Sequence, residues 1–88
     1  MYRNGVNRTF ALEEALIFIN QSLRNHPDNP FFLDTKGWIL FKMGQLVEAR
    51  TVQEKSLEFL PDYRDAKEHL RAVEQLEGIA KVNQDKVK

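Results

Sequence analysis

The stretch that decides the fold is residues 30–63, PFFLDTKGWILFKMGQLVEARTVQEKSLEFLPDY. Two runs with apolar residues at helical spacing lie on either side of Gly44, and neither alternates as a strand would. Asn29 precedes the first run and is a residue type that caps helix N-termini. Pro30 sits in the first turn, where its missing N–H removes no helical hydrogen bond. Gly44 ends the run because glycine takes the left-handed C-terminal conformation without strain. Pro61 closes the second run. The spacing predicts helix 2 over about Pro30–Met43 and helix 3 over about Leu46–Leu60, antiparallel because their connection is short.

Working outward, the same punctuation recurs. His26-Pro27-Asp28-Asn29 closes a helix 1 predicted over about Phe10–Asn25. Asp62 is a candidate cap for helix 4, over about Tyr63–Glu77, with Asp65 three residues on. Residues 1–9 read as a flexible polar leader, 10–80 as one helical domain, and 81–88 as a charged tail.

Sliding the chain by 34 residues exposes a repeat. Leu12, Glu14, Ala15, Ser22, Leu23, Pro27 and Asp28 meet Leu46, Glu48, Ala49, Ser56, Leu57, Pro61 and Asp62. Those are seven identities over the 18 positions 12–29, where chance gives about one; a period of this length built from two helices marks a solenoid. Gly44 meets Gly78 at the same offset.

On these residues, 30–63 resembles the tetratricopeptide repeat, in its bacterial form. The family pattern W-x₂-L-G-x₂-Y, A-x₃-F, P falls on Leu33, Lys36, Gly37 and Leu40, on Ala49 and Gln53, and on Pro61. Gly37 and Ala49 are the small residues at which paired helices touch. Lys36 and Gln53 depart from the pattern, which predicts looser packing between helices 2 and 3. Residues 10–29 resemble the second half of a preceding repeat, and 63–80 a divergent capping helix. The resemblance implies an all-α fold: an antiparallel helix-turn-helix stack, a solenoid of about two repeats and four helices.

Helical-wheel positions agree. Helix 3 gathers Leu46, Ala49, Val52, Ser56, Leu57, Phe59 and Leu60 on one arc, opposite a charged face. Helix 4 carries the narrow stripe Tyr63, Ala66, Leu70, Val73 and Ala80, as suits a helix that seals an array. Helix 2 has three apolar faces: Leu33, Gly37 and Leu40; Phe32, Ile39 and Met43; Phe31, Trp38 and Phe41. Three faces need three neighbours.

Composition excludes several function classes. The chain has 88 residues, 13 Lys+Arg, 13 Asp+Glu and no cysteine. A disulfide framework and a thiol nucleophile are therefore ruled out, and the basic excess expected of a nucleic-acid binder is missing. The longest apolar run, Ala15–Ile19, is far short of the roughly 18 residues that span a bilayer. With no apolar leader in sight, a cytoplasmic location without membrane insertion is expected.

Little in the sequence carries chemistry. Asp65 and His69 share a helix face and read as a solvated pair. Adjacent Glu13 and Glu14 diverge around a helix and do not converge on one substrate. The sequence holds no phosphate loop and no nucleophile–base arrangement. No enzyme activity, cofactor or metal is expected. The sequons at Asn7 and Asn20 matter only to a secreted chain.

The resemblance implies a protein-interaction module, because the first helix of each repeat lines a concave groove. The matching positions are Phe31, Asp34, Trp38, Phe41 and Lys42, joined from helix 4 by Asp65, Glu68, Ala72 and Gln75. Asp34, Thr35, Asp65 and His69 stand where some family members place the basic and Asn residues that clamp a terminal carboxylate, so that ligand is not expected. A partner helix or peptide is expected in the groove. The alternatives are a homodimer packed through helix 2, or a fragment of a longer array.

Overall fold

A computed structural model describes the backbone of residues 4–87 and the side chains of residues 10–79. The described backbone folds as four helices joined by turns, with no strand: α1 Asn4–Asn25, α2 Pro30–Lys42, α3 Leu46–Phe59 and α4 Arg64–Val87. The all-α antiparallel stack expected from the repeat is the fold observed.

Local chemistry sets the ends of α2. Asn29 Oδ1 accepts from the backbone N–H of Phe31 at 2.8 Å and of Phe32 at 3.1 Å, satisfying two donors that a helix start leaves free. At the other end Gly44 has φ +84°. Its N–H donates to Phe41 O at 3.0 Å while Gln45 N–H donates to Leu40 O at 2.9 Å. That pair of bonds is a Schellman motif, and the positive φ is why glycine stands there.

The 34-residue period extends to the hydrogen bonds of the turns. His26 N–H donates to Ser22 O, Asn29 N–H to His26 O, and Leu33 N–H to Asn29 O. At the matching places Leu60 N–H donates to Ser56 O, Tyr63 N–H to Leu60 O, and Lys67 N–H to Tyr63 O. Pro61 forces Leu60 out of the helical region, to φ −144° and ψ 82°.

Several boundaries differ from those read in the sequence. Tyr63, not Asp62, holds the capping position of α4, so Asp62 lies one residue outside it. The helix α1 begins at Asn4, six residues before Phe10, so most of the expected leader is helical backbone. Nothing from Asn4 to Thr9 forbids a helix, and the pattern that placed the boundary marked only the packed part. Likewise α4 runs through Gly78 to Val87, across most of the charged tail, because an interior glycine costs only about 1 kcal/mol relative to alanine. Met1 to Arg3, Lys88 and the side chain of Ala80 lie outside the described residues.

Packing centres on α2, which contacts α1, α3 and α4. Leu40, Ala49 and Val73 form the buried heart, with Leu16, Phe41, Leu46 and Val52 against it. On the facing side Ser56 Oγ donates to Pro30 O at 2.8 Å, tying the end of α3 to the start of α2.

The looser α2–α3 packing predicted from Gln53 is not what forms. Gln53 is fully buried, and its Nε2 donates to Asp34 O at 3.0 Å. Its side chain occupies the space left by the missing Cβ of Gly37. A Cβ built there would lie 2.7 Å from Gln53 Cδ and 2.8 Å from Cγ, closer than real contacts allow. A long flexible amide fills the place of an aromatic ring, and the residue that touches Gly37 is Gln53. The compromise is polar: Gln53 Oε1 is buried without a hydrogen-bond partner.

Candidate functional site

The helices α2 and α4 lie side by side and run the same way. Phe31 pairs with Tyr63 at one end, and Trp38 with His69 further along. Between these two pairs runs the strip on which the groove is expected.

Its middle is an aromatic stack. Trp38 lies nearly parallel to Phe41, with centroids 4.7 Å apart, and to His69, with centroids 4.1 Å apart. Trp38 stacks with both rings and is half-buried. Lys42 Nζ approaches to 5.8 Å from the same ring, within cation–π range.

At the other end Phe31 meets Tyr63 edge to face, with centroids 5.1 Å apart, and stays 53% exposed. The Tyr63 hydroxyl is held above its usual pKa range, first by burial and then by the nearby carboxylates of Asp34 and Asp65.

Beneath the stack, Asp34 Oδ1 and His69 Nδ1 are 2.7 Å apart. The Asp34 side chain is 7% exposed and that of His69 27%. Asp34 therefore faces inward and orients His69; it does not present its carboxylate to the groove. The same bond replaces the expected Asp65–His69 pair, since His69 turns toward α2. Their separation of 35 residues hides this contact from any local spacing rule. The only clue in the sequence was that both positions fall on groove-facing sides.

The remaining expected site residues divide by exposure. Phe41 and Ala72 are half-buried along the groove, while Lys42, Asp65, Glu68 and Gln75 are exposed. Asp65, Glu68, His69 and Ala72 fall on one arc of α4 by helical spacing. Among the described residues, Lys42, Asp65 and Glu68 form no ion pair; Arg50 bonds Glu77 at 2.9 Å on the far side of α4.

A second concavity, on the α1–α3 side, is absent from the sequence-based expectation. Leu23, Pro27, Leu33 and Val52 floor it, with Lys36 and Lys55 at its edges. Lys36, which departs from the repeat pattern, was the available signal.

Among the described residues there is no group of three or more His, Cys, Asp or Glu that could hold a metal ion. No described helix is long and apolar enough to cross a membrane.

A TPR repeat-containing protein of Pseudomonas aeruginosa is 33% identical over 60 residues, which are 68% of this chain and 10% of that protein. The chain thus spans about a tenth of that relative's length. No family model matches the chain, and no solved structure matches it.

Proposed function

We propose, for a chain that is of the tetratricopeptide-repeat type, a role as a protein-interaction scaffold whose binding surface is the groove between α2 and α4. Proteins of this type bind protein partners and are generally not enzymes. The observation that carries the reading is the aromatic surface along α2. Phe31 is more than half exposed, and Trp38 and Phe41 are half-buried, although α1, α3 and α4 all pack on α2. Large aromatics left at a helix junction and rimmed by unpaired charges suit a peptide or a partner helix. Asp34 and His69 support the surface from below, and Lys42, Asp65, Glu68, Ala72 and Gln75 form its sides. No catalytic role, cofactor, nucleic acid or membrane insertion belongs to this reading, and a cytoplasmic location is part of it.

The test uses Trp38, the chain's sole tryptophan. Wild-type and Trp38→Ala chains serve as paired baits in an extract of the source cells, with circular dichroism confirming equal helix content. Any partner enriched only by wild type is then titrated by calorimetry. Trp38→Ala should weaken binding by about 2 kcal/mol or more, as loss of a central aromatic anchor does. Equal capture by both baits would reject the groove.

A second reading draws on α1. Its outer face exposes Phe10, Ile17 and Phe18, where a complete repeat would place its first helix. This favours a unit of a longer array over a homodimer packed through helix 2. Light scattering at micromolar concentration separates them: a dimer abolished by Trp38→Ala would favour the homodimer.

A further inference from the structure

We propose a second interaction surface, independent of the α2–α4 groove: the furrow between α1 and α3 takes an extended segment of a partner protein in which a carboxylate sits beside a bulky apolar side chain. The repeat register singles out Lys36. At the same offset of 34 residues the matching position is Leu70, and the repeat pattern itself has leucine there. Lys36 is half-buried at the edge of a cleft floored by Leu23, Leu33 and Val52. Its stem has apolar surface to lie along, but no carboxylate stands within salt-bridge distance of its ammonium among the described residues. A partly desolvated cation without a counter-charge is unfavourable, and an arriving carboxylate relieves that cost.

Two more cations border the furrow. Lys55 of α3 lines the same cleft as Lys36. Arg24 of α1 lines the adjoining concavity, which shares Leu23 and Lys36 with that cleft. Neither has an acidic partner within salt-bridge distance among the described residues. Against these three cations, drawn from three helices, the lining holds one carboxylate, Glu48. On α3 it lies seven residues before Lys55, roughly 10 Å away along the axis. The furrow is therefore basic in a chain whose net charge is zero.

Shape selects an extended chain. Among the described residues α1 and α3 both pack on α2 but not on each other. The cleft continues into a concavity at each end, through Leu23 and Lys36 on one side and through Glu48 and Thr51 on the other. A chain passes through such a furrow, whereas a small molecule favours a cavity that encloses it. At about 410 Å³ the cleft holds a few side chains, not a whole helix of roughly 10 Å diameter. An acidic residue there meets Lys36 and Lys55 while its apolar neighbour covers Leu23, Leu33 and Val52. A phosphate backbone matches the cations and leaves that floor uncovered. A basic segment matches Glu48 alone.

The experiment titrates three synthetic peptides into the full chain at neutral pH. Their frame is acetyl-Ser-Leu-Xaa-Xaa-Leu-Ser-amide, with Xaa glutamate, glutamine or lysine, so that each face of the extended peptide carries one Leu and one Xaa. Calorimetry gives the affinity, and amide shifts of the nitrogen-15-labelled chain give the place. The glutamate peptide should bind roughly tenfold tighter than the glutamine one, and the lysine peptide weakest. The preference should shrink as salt is raised, and the shifts should gather around Leu33, Lys36 and Lys55. Lys36→Leu, which restores the residue of the matching position, should keep or raise the melting temperature and lose most of the preference. Lys55→Gln, at an exposed position, should lower it about threefold with the fold intact. Equal affinity for the glutamate and glutamine peptides, a preference that survives both substitutions together, or no binding at all would overturn the proposal. So would shifts gathered around Trp38 instead, or displacement of the glutamate peptide by an equal concentration of octanoate, which would mark a small-molecule site.

Discussion

The stretches of α1 and α3 that lie 34 residues apart share seven residues at matched positions and use them differently. Ser56 Oγ reaches across to Pro30 O at 2.8 Å, whereas Ser22 Oγ donates back into its own helix, to Phe18 O at 3.3 Å. Ala49 is fully buried; Ala15 is only half-buried. The matched pair Gln53 and Ile19 are both buried, one by an interhelical hydrogen bond and one by apolar contact. The turns after both helices keep the same three backbone bonds. Turn geometry is thus local and survives without a partner helix. Side-chain roles come from the neighbour, and a residue that staples two helices in one repeat caps nothing and staples nothing in the other.

The largest break in this comparison should come from Ala49→Leu. Overpacking the buried contact with Leu40 and Val73 is expected to cost roughly 1–3 kcal/mol. Ala15→Leu should stay within about 0.5 kcal/mol, as substitutions with room to spare do. Paired urea melts measure both, and equal costs would mean that α1 is packed as tightly as α3. Next is Asn29→Ala, which removes the two cap bonds of α2 and should destabilise by about 1 kcal/mol. Gln45→Ala at the start of α3, where no side chain caps the helix, should change little. An effect of the same order is expected for Ser56→Ala, about 0.5–1.5 kcal/mol for one lost hydrogen bond, against almost none for Ser22→Ala. Chemical denaturation of the two serine variants side by side is the sharpest test that the neighbour defines the role. The smallest is Pro61→Ala. Proline there blocks continuation of the helix rather than adding a contact, so circular dichroism should find the helix content nearly intact.

What the sequence made legible follows from the same division. The period, the caps at Asn29 and Gly44, and the stop at Pro61 act within a few residues, so spacing alone revealed them. The buried set Leu33, Leu40, Ala49, Ala66 and Val73 followed from helical faces. Helix lengths did not: the expected helix 4 stops at about Glu77, just before Gly78, whereas α4 runs on to Val87, because a single interior glycine costs only about 1 kcal/mol. For the groove, Phe31, Trp38 and Phe41 were legible as a face, while the turn of His69 toward Asp34 was not. That contact depends on how α4 lies against α2, which a wheel drawn for one helix cannot contain. Gln53 misled for a similar reason: a polar residue in an aromatic place implies a gap only if its chain cannot fold into the neighbouring glycine's space.

The contact between Gly37 and Gln53 also constrains the order in which this sequence is able to change. Gln53 cannot swing aside, being fully buried and bonded to Asp34 O, so any side chain at position 37 collides with it. A lineage must therefore shorten residue 53 before it enlarges residue 37, and on the way back must restore the glycine first. Two positions sixteen residues apart act as a ratchet, and among descendants of this chain they should be found altered together, or with 53 alone altered, but not with 37 enlarged over an intact Gln53.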